Sequence, residues 1–372
     1  DNASKIKALY EEHGYYLSNV IPVLRRLRED SLSLTYMIEE GPVVKIKKIT
    51  IEGAKKIPPK KIKKAMKTKE RGFFSFLTKS GYYKKDEIRA DIERIKELYL
   101  NNGYIKVAVS NPELKLSLDK RYLEIKLSIQ EGEQYRIESV EIRGNKNYPD
   151  EEILKLLTLN KGDVFSREVL RKNISDIVNF YSERGYALAS VIPDVIPEEG
   201  KNTVRLVLNI QEGDLFRIGR IEIFGNTKTW DKVIRREMRL DEGDIFNSKL
   251  LRRSYERINN LQFFDSVELN PKPNQEEKTV DIDIKVKERP TGMLSVGGGY
   301  SSIDKWVAMV DVTQGNLGGR GQYIKLRGEF GGRRTLYELS YRDPWFLDKP
   351  LSFGLSIYKS SRQYPLYERR AT

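Results

Sequence analysis

The sequence predicts an α+β chain: tandem repeats of a β-α-α-β-β unit, followed by the first strands of an incomplete antiparallel transmembrane β-barrel. Three observations predict it. The stretch LNIQEGDLFRIGRIEIFGN (208–226) has a near twin in LSIQEGEQYRIESVEIRGN (127–145) and a fainter relative in YMIEEGPVVKIKKITIEGA (36–54). Between these marks the apolar residues recur first at helical and then at alternating spacing. From Thr291 the helical period vanishes, 12 of the chain's 27 glycines appear, and alternating segments of about ten residues take over.

The repeat is regular enough to place each element within it. The pairs Glu40-Gly41, Glu131-Gly132 and Glu212-Gly213 mark its period, and Gly53, Gly144 and Gly225 follow them at a constant offset. Each copy is long enough to bury a core of its own, unlike a solenoid unit of ~20–45 residues. The first strand of a copy carries Ile46, Ile49 and Ile51, then Ile137, Val140 and Ile142, then Ile218, Ile221 and Ile223. A short helix follows in PPKKIKKAM, PDEEILKLL and TWDKVIRREM, where proline and acidic residues suit a first turn with free N–H groups. The second helix repeats one apolar stripe, Ile88, Ile92, Ile95, Leu98 and Tyr99, then Leu170, Ile174, Ile177, Phe180 and Tyr181. It ends at Gly14, Gly103 or Gly185, where a left-handed cap is wanted. The final strand alternates: Leu123, Ile125, Leu127 and Ile129; Val204, Leu206, Leu208 and Ile210; Val280, Ile282, Ile284 and Val286. Strand, two helices and two strands make a sheet covered on one face. The longer first full copy carries an extra loop with Phe73, Phe74 and Phe76, read either as a plug for its own core or as an exposed anchor for a partner or lipid surface.

Composition excludes several function classes. With no cysteine and one histidine, His13, the usual zinc sites, disulfide frameworks and His-based triads are unavailable. VGGGY and GGRG lack the Lys-Ser/Thr and helix of a phosphate-cradling loop. The many carboxylates fall on alternating strand faces and helix surfaces, where a solvated side chain is the default. Neither an enzyme nor any cofactor or metal is expected. The net charge of +13 is local: residues 41–85 hold fifteen Lys or Arg against Glu52 and Glu70, while the rest of the chain balances at 52 against 52. No apolar run reaches the ~20 residues of a membrane helix. Asp1 falls partway through a repeat, so a preceding segment is expected.

Five ten-residue segments, around 292–301, 305–313, 321–330, 334–342 and 351–359, have the length and alternation of strands that cross a bilayer. Five strands cannot close a barrel, which favours a piece of a larger one ending at LYERRAT; the other reading is an ordinary antiparallel sheet in a soluble scaffold.

These features together resemble POTRA domains followed by the barrel of the outer-membrane assembly family. The resemblance spans essentially the whole chain and rests on EGxxxxIxxIxIxGN at each junction, GFFSFLTKSGYYKKDEIRADIERIKELYLNNGY, VIRREMRLDEGDIF with RINNLQFFDSVEL, VKERPTG, NLGGRG and DPWF. It implies that residues 1–40 are the C-terminal half of a second POTRA unit, 41–131 a third, 132–212 a fourth, 213–289 a fifth, and 290–372 the N-terminal strands of a truncated outer-membrane barrel. The implied place is the bacterial outer membrane, with the repeats in the periplasm. The implied work is to hold unfolded outer-membrane proteins, scaffold accessory lipoproteins and deliver clients to the barrel for insertion. A related secretion or translocation pore of the same superfamily is the alternative.

An open sheet edge can accept another strand through main-chain bonding. The candidate edge is Lys106, Val107, Ala108, Val109 and Ser110, with Pro112 beyond it; Lys106 and Lys115 as mere edge protection is the competing reading. The resemblance makes Arg235, Arg236, Glu237, Met238 and Arg239 a dock for a partner lipoprotein, with Glu237 as a pairing charge. It makes Met293, Ser295, Gly297, Gly298 and Gly299 part of a lateral seam through which clients pass; a bend at a barrel corner would explain the glycines equally well. Asp343, Pro344, Trp345 and Phe346 read as a turn with interfacial aromatics against outer-membrane lipid, on the periplasmic side by the resemblance. Lys60, Lys61, Lys63, Lys64 and Lys67 crowd one short helix that could rest on an anionic surface, or simply solubilise it. Nucleic acid is not expected, because no stacking aromatics lie among the lysines.

Overall fold

The computed structural model describes residues 2–28, 31–72, 81–302, 305–363 and 368–371. The phenylalanine loop 73–76 lies outside them. The chain divides into two compact units, Asp1–Asp176 with Val191–Ile210, and Ile177–Ser190 with Gln211–Thr372.

The first unit opens with helix α1 (Asn2–Glu12) and the hairpin of β1 (Asn19–Arg28) and β2 (Ser31–Glu39). The next repeat runs β3 (Lys45–Glu52), α2 (Pro59–Ala65), α3 (Lys85–Leu100), β4 (Ala108–Val109), β5 (Glu113–Leu116) and β6 (Tyr122–Gln130). Strand β6 is central, parallel to β3 and antiparallel to β4 and β5. Its alternating Leu123, Ile125, Leu127 and Ile129 are buried, as are Ile46, Ile49, Ile62, Ile88, Ile92, Ile95 and Tyr99. The helical stripe and the strand alternation therefore meet in one core, as their spacing requires. The following repeat has β7 (Arg136–Arg143), α4 (Asp150–Leu154), α5 (Arg167–Ser182), β8 (Ser190–Pro197) and β9 (Thr203–Gln211), in sheet order β7-β9-β8.

In the second unit the pattern recurs as β10 (Arg217–Phe224), α6 (Asp231–Arg235), α7 (Ser248–Asn260), β11 (Phe264–Asn274) and β12 (Thr279–Glu288), with β12 central. Six antiparallel strands then follow in sequence order: β13 (Gly292–Ser301), β14 (Lys305–Leu317), β15 (Gln322–Gly331), β16 (Arg334–Asp343), β17 (Phe353–Gln363) and β18 (Glu368–Ala371). The last was not expected from sequence, because its four residues are too few and too charged to show alternation.

The two faces of this sheet differ in kind. Paired residues on neighbouring strands share a face. One row reads Leu294, Val312, Leu326, Leu339, Ile357, and the next reads Val296, Val310, Gly328, Tyr337, with Lys359 at its end. The opposite face reads Ser295, Asp311, Arg327, Glu338, Tyr358. Leu294, Val296 and Ile357 are 67%, 74% and 62% exposed. An apolar outer face backed by a charged inner one is the arrangement of a barrel wall, and the reverse of a soluble sheet packed on its own core. No helix among the described residues is long and apolar enough to cross a membrane.

Candidate functional site

The repeated glutamate is a structural device that sequence reasoning missed. The Glu131 carboxylate, at the end of β6, accepts from the backbone N–H groups of Lys55, Lys56 and Ile57 at 2.9–3.2 Å and from the Tyr99 hydroxyl at 2.8 Å. The Tyr181 hydroxyl donates to Glu212 in the same way at 2.9 Å, and Tyr10 bonds Glu40. In the last repeat Glu288 accepts from the N–H groups of Lys228 and Thr229 and from the Thr227 hydroxyl at 2.7 Å. Burial acts to raise the pKa of both Glu131 and Glu288, but these donors outweigh it: the first is lowered and the second falls to about 2. Gly53, Gly144 and Gly225 have φ of +80°, +87° and +87°, and a Cβ on any of them would collide with the carbonyl of Ile129, Ile210 or Val286 respectively. The EG and GN/GA marks therefore hold the first strand's exit loop against the last strand.

Neighbouring repeats are joined by main-chain bonds. The N–H groups of Val44, Tyr135 and Phe216 donate to the carbonyls of Gly14, Gly103 and Gly185, each 2.8 Å away. Those glycines have φ of +94°, +86° and +102°, the left-handed cap expected of them. The segments KGDVF and EGDIF add a short bridge to the first strand, Val164 opposite Arg136 and Ile245 opposite Arg217.

Among the expected client-binding residues, Ala108 and Val109 pair with β6 alone, so the outer side of β4 is an open sheet edge. The Ser110 N–H donates to Ser128 O at 2.9 Å, extending the pairing. Lys106 is not a bare guard on that edge: its ammonium lies 5.6 Å from the Tyr135 ring centroid. It also borders a groove of 590 Å³ whose apolar walls include Leu100, Ile105, Phe165, Leu170 and Ile174, closed by Pro193 and Val195 of the edge strand β8.

The cluster from Arg235 to Arg239 is divided by the fold. Glu237 and Met238 are buried, so the expectation that Glu237 offers a pairing charge to a partner needs correction. Its carboxylate pairs with Arg257 at 2.6 Å and accepts from Trp345 Nε1 at 3.2 Å. Arg236 lies 5.3 Å from the Trp345 ring. Only Arg235 and Arg239 remain exposed, and Arg235 donates to Ile221 O at 2.9 Å. Trp345 thus packs within the molecule as well as belonging to the turn. Asp343 is buried too, accepting from the Trp345 N–H at 2.9 Å and from Gln322 Nε2 at 2.8 Å. The NLGGRG segment docks alongside: Asn316 Nδ2 donates to Thr229 Oγ1 at 2.8 Å, and the Trp230 N–H to Gly319 O at 3.0 Å.

The remaining expected residues lie apart. Met293, Ser295 and the three glycines belong to β13, an edge strand paired along its whole length with β14. Gly298 and Gly297 face Ala308 and Met309 there. Four of the five lysines lie on α2, and Lys67 falls beyond its end, because the helix stops at Ala65 and the extended Met66 follows. Lys63 pairs with Glu70 at 2.6 Å, whereas Lys60, Lys61, Lys64 and Lys67 are exposed and form no ion pair among the described residues. No group of His, Cys, Asp or Glu among the described residues gathers to hold a metal ion. Several carboxylates that by default would be solvated, Asp91, Glu131 and Glu212, are buried and hydrogen-bonded.

The repeats match the surface antigen variable number repeat, POTRA, at residues 44–132, 135–213 and 216–289, and residues 316–371 match the Omp85 superfamily domain. The chain belongs to the POTRA-containing Omp85 family of outer-membrane proteins. It is 32% identical over 97% of its length to the outer membrane protein assembly factor BamA of Nitratidesulfovibrio vulgaris, and 30% identical over 95% to that of Neisseria meningitidis serogroup B. It spans about half the length of these relatives, 46% and 44%. Among solved structures, BamA of Haemophilus ducreyi lacking POTRA domains 1–3 is 29% identical with a TM-score of 0.57, covering 61% of this chain and 43% of that one. The POTRA3–5 fragment of Haemophilus influenzae BamA is 26% identical with a TM-score of 0.56, covering 66% of this chain and 96% of that one. The POTRA–Omp85 assignment accounts for both the β-α-α-β-β units and the two-faced sheet.

Proposed function

We infer that this chain is the periplasmic repeat region and first barrel wall of an outer-membrane protein assembly factor. It would bind unfolded outer-membrane proteins along open strand edges, scaffold accessory lipoproteins, and pass clients to the barrel. The observation that carries the reading is the combination of an open edge at β4, beside an apolar groove, with a downstream sheet that is apolar outside and charged inside. An edge offers N–H and C=O groups to any extended segment, so it accepts many client sequences, while a groove gives alternate apolar side chains somewhere to lie. Its relatives are outer membrane protein assembly factors by name.

Within this reading Lys106–Ser110 is the client edge, β13 is the side of the lateral seam, and the lipoprotein dock reduces to Arg235 and Arg239. The exposed lysines of α2 face an acidic partner or anionic lipid.

The test is photocrosslinking in the full-length protein during folding of an outer-membrane client, with the reactive group at Val109 or at Lys120 in a turn. Crosslinks that form at Val109, scarcely at Lys120, and that disappear when unlabelled extended client peptide competes, support the edge. Equal crosslinking at both positions, or none at Val109, overturns it.

A further inference from the structure

The turn after β16 and the loop after β14 enclose a cleft of 300 Å³ with Trp230, Lys232, Arg236, Arg320 and Trp345 around it. Its position follows from strand alternation. Leu326, Ile324 and Gln322 share one face of β15, and Leu339, Tyr341 and Asp343 share the same face of β16, because Leu326 pairs with Leu339 and Ile324 with Tyr341. The apolar rows that form the outer face of the sheet thus run down to Gln322 and Asp343, and both of these line the cleft. A bilayer that covers those rows would end its hydrocarbon there and place its headgroups at the cleft.

The cleft is equipped for an anion at that level. Arg320 is exposed and makes no ion pair among the described residues; its guanidinium lies 4.8 Å from the Trp230 ring. Arg236 Nε is buried without a hydrogen-bond partner, and burial lowers this guanidinium's pKa. Lys232 is shared between Asp348, at 2.9 Å, and the Trp230 ring. Two tryptophans at the edge of an apolar band are the usual markers of the headgroup zone. Guanidinium groups suit a phosphate by their planar fork.

We propose that this cleft binds the headgroup phosphate of one phospholipid, with Arg320, Arg236 and Lys232 facing the phosphate and the acyl chains lying on Ile324, Tyr341 and Leu339. The occupant is a phosphodiester lipid rather than a free anion, because the cleft continues the apolar face. This rests on the membrane-barrel reading of the strands.

The experiment is native mass spectrometry of the full-length protein extracted into mild detergent from phosphatidylglycerol vesicles that also contain phosphatidylethanolamine or a minor fraction of diacylglycerol, with heat-modifiable electrophoresis reporting barrel folding in parallel. One phospholipid retained per protein is expected, with diacylglycerol not retained. Arg320→Gln and Lys232→Gln should each lower retention about fivefold; Arg320→Lys should recover part of it, and Lys349→Gln, outside the cleft, should leave it unchanged. A folded barrel that retains phospholipid equally in Arg320→Gln and in the unaltered protein overturns the cleft but not the barrel. So does displacement of the lipid by millimolar inorganic phosphate. Failure to fold into vesicles at all overturns both.

Discussion

Glu131 and Glu288 each fasten the end of a repeat's last strand to the N–H groups of a loop far earlier in the chain, Glu212 holds the hydroxyl of Tyr181, and the first two do so as ionised groups. For Glu288 the folded-state pKa of about 2 lies below the usual 4.5. A depressed carboxylate contributes stability that is full above the unfolded value and lost as pH falls through the folded one. Acid unfolding of the repeat region 2–289, followed by circular dichroism, should therefore set in below pH 4.5 and deepen toward pH 2; a Glu288→Gln variant should flatten that dependence. Replacing Glu131 with alanine strands three N–H groups and the Tyr99 hydroxyl, and should cost about 2–3 kcal/mol in urea titrations. Gly144→Ala should cost at least about 2 kcal/mol, because it adds a left-handed penalty to a collision with the Ile210 carbonyl. A loss no larger than that of an ordinary surface substitution, about 0.5 kcal/mol, would show that the exit loop relaxes freely.

Between α2 and α3, and at the matching places in later repeats, one polar residue interrupts the helical stripe. Asp91 accepts from the N–H groups of Lys67 and Thr68 and pairs with Arg94; Asn173 bonds Thr158; Ser254 accepts from the Arg239 N–H. Their recurrence at the same place in each repeat is visible in the sequence, but their burial is not. They sit on the apolar side of the second helix, and the N–H groups that satisfy them come from the segment just after the short first helix, at Lys67 and Thr68, Thr158 and Arg239. In the barrel sheet the two faces predict opposite sensitivities. Leu339→Arg, on the apolar row, should reduce folding into vesicles by about 2–4 kcal/mol if it sits at the bilayer midplane. Glu338→Gln, on the polar face, should change it little. Heat-modifiable electrophoresis after vesicle folding reads both, and similar losses would mean that the faces are assigned wrongly.

At the scale of the second unit, the buried Glu237 ties the segment just after α6 to α7 and to the turn bearing Trp345 through Arg257 and the indole N–H. Removing it as Glu237→Ala leaves the Arg257 guanidinium without its partner. The expected cost is about 3 kcal/mol, the low end for a broken buried pair because Arg257 is one-third exposed. The sharper expectation is local: hydrogen exchange at residues 345–349 should accelerate while exchange in β17 stays unchanged. Uniform acceleration across the unit would make Glu237 a general stabiliser and not the fastener of that turn.

The sequence by itself determined the repeat, the order of elements within it, the five long barrel strands and their alternation, because these follow from apolar residues spaced at the helical and the strand period. It also marked Gly53, Gly144 and Gly225 as special without giving the reason. The tertiary structure decided which polar residues are inside. Glu131 recurs in the repeat mark, yet nothing beside it, Asp91 or Glu237 in the chain says that it is buried; what makes each of them structural is a set of N–H groups or an arginine brought against it by the fold. The same holds for the cleft below the apolar face, whose lining residues stand at 230–236, 320–322 and 343–348 in the sequence and meet only when two turns and a short helix fold together. Periodicity is a local property and survives in one dimension, whereas the satisfaction of a buried charge is settled only by the groups that surround it in three.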